Sequence, residues 1–141
     1  MKRVSFMNKC IRLMLYLHNK KIPLLPKLIN YFNRIVFSCD IPYTVKIGKG
    51  TLFIHSGLGV VIHGNARIGK DCRIYHGVTI GGRGKRGTPV IGDNVFIGAN
   101  STIIGDVKVG DNAIIGANSL VIKDVEKNTT VAGNPAKKIK G

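Results

Sequence analysis

The sequence predicts a β-class fold, a parallel solenoid of triangular cross-section entered through a short helical segment. Three observations predict it. From Ile91 to Glu126 a branched aliphatic residue recurs every six positions without a miss, at Ile91, Ile97, Ile103, Val109, Ile115 and Val121. The fifth place of each six is small or β-branched (Val95, Ser101, Val107, Ala113, Ser119, Val125), and Gly follows the aliphatic residue in four of the six. All 18 Gly lie at or after Gly48, so the chain changes character near residues 40–47. A period of six is neither the helical 3.6 nor only the strand's 2; it suits a short strand, a corner and another strand. β-branched residues favour the pleat, and Gly, Asn and Asp tolerate the positive φ of corners. Three sixes close one coil, and stacked coils bury their aliphatic residues against each other in one continuous core.

Taken in order, residues 1–40 are the helical segment and residues 41–141 the solenoid. Residues 3–19 carry Phe6, Met7, Cys10, Ile11, Met14 and Leu17 at helical spacing, with Arg3, Lys9 and Arg12 between them. Pro23 and Pro26 interrupt, and Lys27 to Phe37 forms a second short helix with Leu28, Tyr31, Phe32, Ile35 and Val36 apolar. Neither run is long enough to span a bilayer. As a cleavable leader the segment is poor, because Arg12 breaks its apolar core and no small-residue site follows. It reads either as a cap sealing the first coil or as a basic amphipathic segment touching anionic lipid through residues 1–39.

The same sixes begin upstream at Ile47, Ile62, Ile68 and Ile74. Two interruptions break them: Phe53 to Val61 is three residues too long and Ile80 to Val90 five too long. A solenoid takes insertions at its corners, where they form loops on one face, so function is sought there. The first interruption carries His55; His63 and His76 follow. His55 and His76 are 21 apart; less the three inserted residues they are 18 apart, one coil. They therefore stack at one corner, about 5 Å apart if coils space like strands, while His63 faces elsewhere. A neutral imidazole is a usable base near neutral pH, and the three are candidate catalytic residues in the order His55, His76, His63. The second interruption holds Gly82-Arg-Gly-Lys-Arg-Gly87, basic and Gly-rich but without the spacing of a phosphate-cradling loop. The end, Val131-Ala-Gly-Asn-Pro-Ala-Lys137, leaves the repeat and gathers Lys137, Lys138 and Lys140 beside the last coil.

The net charge of +15 divides into +8 on residues 1–39, which contain no Asp or Glu, and +7 on the rest. Such charge calls for an anionic partner: a nucleic acid, a membrane surface or a phosphorylated cofactor. Cys10, Cys39 and Cys72 have neither disulfide nor metal-site spacing and read as buried or free thiols of a reducing compartment. Cys72 occupies a fifth place, hence the core.

The sixes, Gly-Val-Thr-Ile-Gly-Gly at 77–82, Ile-Gly-Ala-Asn-Ser at 97–101 and 115–119, and Val-Ala-Gly-Asn-Pro-Ala-Lys at 131–137 resemble the hexapeptide-repeat acyltransferases. Within them the chain looks most like the serine acetyltransferase branch and its short relatives in surface-polysaccharide clusters, over residues 41–141. The resemblance implies a left-handed parallel β-helix, a homotrimer with active sites in clefts between prisms, and acetyl-CoA as co-substrate with no metal. It implies that the pantetheine arm passes Gly81, Gly82, Ala99 and Ala117, with Lys137 and Lys138 near the nucleotide phosphates. A backbone N–H near Gly81 and Gly82 would stabilise the oxyanion. The chain departs from the family in three places. Aligned on Gly59-Val60-Val61, the family's Asp-His pair falls on His55 and Ser56, whereas a one-residue shift sets His55 at the catalytic His. Thr88 stands before Pro89 where the family has a second active-site His. About forty residues stand where it has a long helical domain.

The implied reaction is O-acetyl transfer to a hydroxyl, with a sugar of a surface-polysaccharide precursor as acceptor and serine, for cysteine biosynthesis, as the alternative. Two remote alternatives are a β-helix zinc carbonic anhydrase, whose ligand pattern the histidine spacings of 8 and 13 do not resemble, and a non-catalytic basic scaffold. The solenoid's +7 fits a polyanionic co-substrate, so no nucleic acid is expected. The expected location is cytoplasmic, with a peripheral position at the inner face of the membrane as an option.

Overall fold

The computed structural model describes residues 4–141, the side chain of Arg86 excepted. Two helices, α1 (Phe6–Asn19) and α2 (Leu25–Phe37), precede a left-handed parallel β-helix of four complete coils and the start of a fifth. Each coil contributes one short strand to each of three faces. The first face stacks Lys46–Ile47, Arg67–Ile68, Val90–Ile91 and Lys108–Val109. The second stacks Leu52–Phe53, Arg73–Ile74, Phe96–Ile97, Ile114–Ile115 and Thr130–Ala132, with Lys137–Lys140 returning antiparallel along the last. The third stacks Val61–Ile62, Thr79–Gly81, Thr102–Ile104 and Leu120–Val121.

Register follows the sixes. Ile62, Ile80, Ile103 and Val121 pair in line on the third face, and Phe53, Ile74, Ile97, Ile115 and Val131 on the second. All nine are buried, and so is every fifth place from Thr51 to Val125. A fully buried Ile or Val contributes on the order of 2 kcal/mol relative to exposure, so these ladders outweigh any single surface contact. Corners fall to Asn94, Asn100, Asn112, Asn118 and Asn128, all at positive φ. Asn94, Asn112 and Asn128 link into a ladder of side-chain hydrogen bonds at 2.9 Å. The glycines after the aliphatic residues serve another purpose than expected: a Cβ on Gly98 would lie 2.5 Å from the Ala117 nitrogen of the next coil. Close stacking, rather than positive φ, demands glycine there.

Both interruptions are corner insertions: residues 54–60 between strands of the second and third faces, and residues 82–89 between the third and first. Helix α1 closes the open end of the coil. Met7 and Ile11 join the same buried cluster as Ile41, Phe53 and Ile62. Phe6, expected on the buried stripe, is exposed. Helix α2 is turned against its sequence pattern. It buries Pro26 and Asn33, and exposes Leu25, Leu28, Tyr31, Phe32, Ile35 and Val36.

Candidate active site

The corner between the second and third faces is built from equivalent turns of successive coils. Pairing of Ile74 with Ile97, and of Ile97 with Ile115, sets His76, Ala99 and Ala117 one above another. The amide N–H of Asn100 donates to the His76 carbonyl at 3.0 Å, and that of Asn118 to the Ala99 carbonyl at 2.8 Å. Pairing of Ile115 with Val131 extends the column to Gly133. In the first coil the turn is replaced by the 54–60 insertion, which brings His55 to the foot of the same column. The His55 and His76 rings are 5.4 Å apart at 75°, as the one-coil spacing predicts. At about 4.8 Å per coil the column runs about 14 Å from His76 to Gly133.

His55 and Ser56 both adopt left-handed backbone, each at φ 54°. For side-chain-bearing residues that conformation costs about 1–2 kcal/mol each, and it persists only where the surroundings impose it. Tyr75 packs its ring 5.9 Å from His55 and 5.1 Å from Phe96, walling the site on the second face. His55 is exposed and His76 half-buried. The Nδ1 atom of His76 is buried without a hydrogen-bond partner. An orphaned buried nitrogen costs about 1–3 kcal/mol, which packing alone does not account for. The sequence does not single out Tyr75 or this orphaned atom; the signal it carries is Tyr75 beside His76 on a repeat corner.

His63 sits at the other edge of the third face. Its Nδ1 accepts the Asn65 amide at 3.2 Å, and its ring lies 3.5 Å from where a Gly82 Cβ would stand. Gly81 and Gly82 share that edge, a three-residue strand, about 10 Å, from the histidine pair. The residues expected along one arm thus divide within a chain: Ala99 and Ala117 with His55 and His76, Gly81 and Gly82 with His63. Lys137 and Lys138 lie past the head of the column and line a cleft of about 580 Å³ with Ile122, Lys123, Pro135 and Ala136. Lys138 also pairs with Glu126 at 3.2 Å, both exposed. Among the described residues no three His, Cys, Asp or Glu gather as a metal site.

The family described as Bacterial transferase hexapeptide (six repeats) matches residues 88–123. A serine acetyltransferase of Helicobacter pylori is 39% identical over 133 residues, covering 92% of this chain and 77% of that protein. One of Synechococcus elongatus is 37% identical, again covering 92% of this chain but 54% of its own length. The solved Neisseria gonorrhoeae serine acetyltransferase in complex with serine superposes with a TM-score of 0.85 at 36% identity, over 94% of this chain and 55% of that one. A serine acetyltransferase in complex with CoA superposes at 0.84 with 34% identity, over 94% and 55%. The chain therefore spans about half the length of several relatives it matches. With the sixes in register on three faces and these likenesses over nearly its whole length, the chain belongs to the hexapeptide-repeat acyltransferases of serine acetyltransferase type.

Proposed function

We propose that this protein is an acetyl-CoA-dependent O-acetyltransferase whose base is His55. The observation that carries the reading is the straight corner column. It begins at two stacked histidines, continues past the small residues Ala99, Ala117 and Gly133, and ends beside the terminal lysines. Such a column suits one wall of a site for an extended thioester arm, with phosphates at the cationic end and the acetyl group at the histidines. His55 takes the hydroxyl proton as the acceptor oxygen attacks the thioester carbonyl. The tetrahedral intermediate collapses to the O-acetyl ester, and the proton passes to the departing CoA sulfur. His76 orients His55 from the next coil.

A homotrimer would bring the Gly81–Gly82 edge of a neighbour against this column and complete a cleft that one prism leaves open. The third face supports it, since its outward ladder, Val61, Thr79, Thr102 and Leu120, is free of charge. For the acceptor, the serine acetyltransferase relatives support serine. A second reading, a sugar hydroxyl of a surface-polysaccharide precursor, is supported by the +8 segment and the exposed apolar face of α2, which suit a peripheral position on an anionic membrane. No helix among the described residues is long and apolar enough to cross a membrane. Purified protein given acetyl-CoA with serine and with a monosaccharide acceptor, side by side, separates the two by which O-acetyl product forms. CoA release with neither acceptor above the rate in water alone would overturn the reading.

A further inference from the structure

The backbone at Phe53 enters the His55 insertion from the edge strand of the second face, where no coil lies below to pair with it. Its hydrogen bonds go instead to one side chain 45 residues away. The Asn8 amide nitrogen donates to the Phe53 carbonyl at 2.9 Å, and the Phe53 N–H donates to the Asn8 amide oxygen at 2.9 Å. Asn8 is 5% exposed, and its amide nitrogen also donates to the Ser5 hydroxyl at 2.8 Å. It thus stands in for the peptide of a missing strand. One turn further along α1, Arg12 donates to the Thr51 carbonyl at 2.9 Å. A helical turn of about 5.4 Å and two strand residues of about 6.6 Å are close enough for both bonds to form. On the far side of His55, Met7 of the same helix packs against Gly57, where a Cβ would overlap the Met7 methyl. Helix α1 therefore holds the chain at Phe53 and at Gly57, on either side of the two left-handed residues His55 and Ser56.

We propose that Asn8 is a positioning residue for the reaction, holding His55 in the left-handed conformation that faces it to His76. The proposal rests on the reading of His55 as the base. It separates Asn8 from Arg12: both close the sheet edge, but only Asn8 bonds the residue from which the His55 turn departs.

The test compares Asn8→Ala, Asn8→Gln, Arg12→Met and His55→Ala as full chains, assayed with acetyl-CoA and whichever of serine or monosaccharide the wild type acetylates. Asn8→Ala is expected to lower kcat at least tenfold, with the dissociation constant for CoA and the KM for acetyl-CoA within about twofold of wild type, as for a group that acts on the base rather than on binding. Asn8→Gln, keeping both bonding groups on a longer arm, should recover part of the loss. Arg12→Met should lower the melting temperature yet hold kcat within about twofold. Where Asn8→Ala does not fold, Asn8→Asp, which keeps the acceptor for the Phe53 N–H and loses the donor to the Phe53 carbonyl, takes its place with the same expectation. Wild-type kcat in the folded Asn8 variant, or an equal loss of kcat in Arg12→Met, overturns the positioning role. Full activity in His55→Ala would instead overturn the histidine-base reading, and the proposal with it.

Discussion

Cys39 lies where α2 hands over to the solenoid, 2% exposed, with its thiol directed at the Asn33 carbonyl. Burial, and then the neighbouring Asp40 charge, push this thiol up to about 11 from its ordinary 9.0. Burial also raises Cys72 and Cys10. Thiols held protonated are poor nucleophiles, which agrees with direct transfer rather than an acyl-enzyme. The Cys39 shift has a stability consequence with a definite sign. Between pH 9.0 and about 11 the unfolded chain releases this proton while the folded chain keeps it, so the contribution is complete below the lower value and lost by the upper. Denaturant unfolding across that range should show stability falling more steeply in the wild type than in Cys39→Ala; parallel slopes would contradict the assignment. At this scale the sequence was informative wherever the period spoke. Cys72 occupies a fifth place and is fully buried. It said nothing of Asn8, because a bond to Phe53 across 45 residues leaves no local pattern.

The solenoid strands and both corner loops were legible because the six-residue period repeats within a few turns and each coil confirms the last. Helix α2 was legible as a helix but not in its orientation. Its apolar stripe predicts burial, yet Ile35 is 82% exposed and Asn33 is buried. Patterning tells which face seeks a partner, not whether the same chain supplies it. Arg34 of this helix pairs with Asp40 at 3.5 Å, but residues 1–39 hold no acid to neutralise Lys20, Lys21 and Lys27, so an anionic bilayer is the occupant the charge favours. Vesicles with anionic lipid should sediment the protein at low salt, and an Ile35→Glu, Leu28→Glu double variant should stay in solution. The competing occupant is a second copy. If the double variant leaves vesicle binding intact but reduces the mass seen by analytical ultracentrifugation without lipid, α2 is a subunit contact instead.

For the whole molecule, the fold follows from stacking: each coil buries its ladder only against its neighbours, and α1 covers the end of the stack beneath the first coil. That geometry also makes the site, since equivalent residues of successive coils share a corner. His55 with His76 could be placed by counting eighteen residues, and the structure has their rings in contact. What counting could not give is the division of Gly81, Gly82 and His63 from that column, because it depends on which corner each insertion occupies. We propose His55 as the base of an acetyl transfer, and everything said of the site depends on it. The most direct measurement is kcat of His55→Ala with acetyl-CoA, serine and a sugar acceptor both offered, and CoA affinity measured alongside. A fall of about 10²–10⁴-fold is expected with CoA affinity little changed, and a double variant with His76→Ala should be no worse than the worse single one. Full activity in His55→Ala would contradict it.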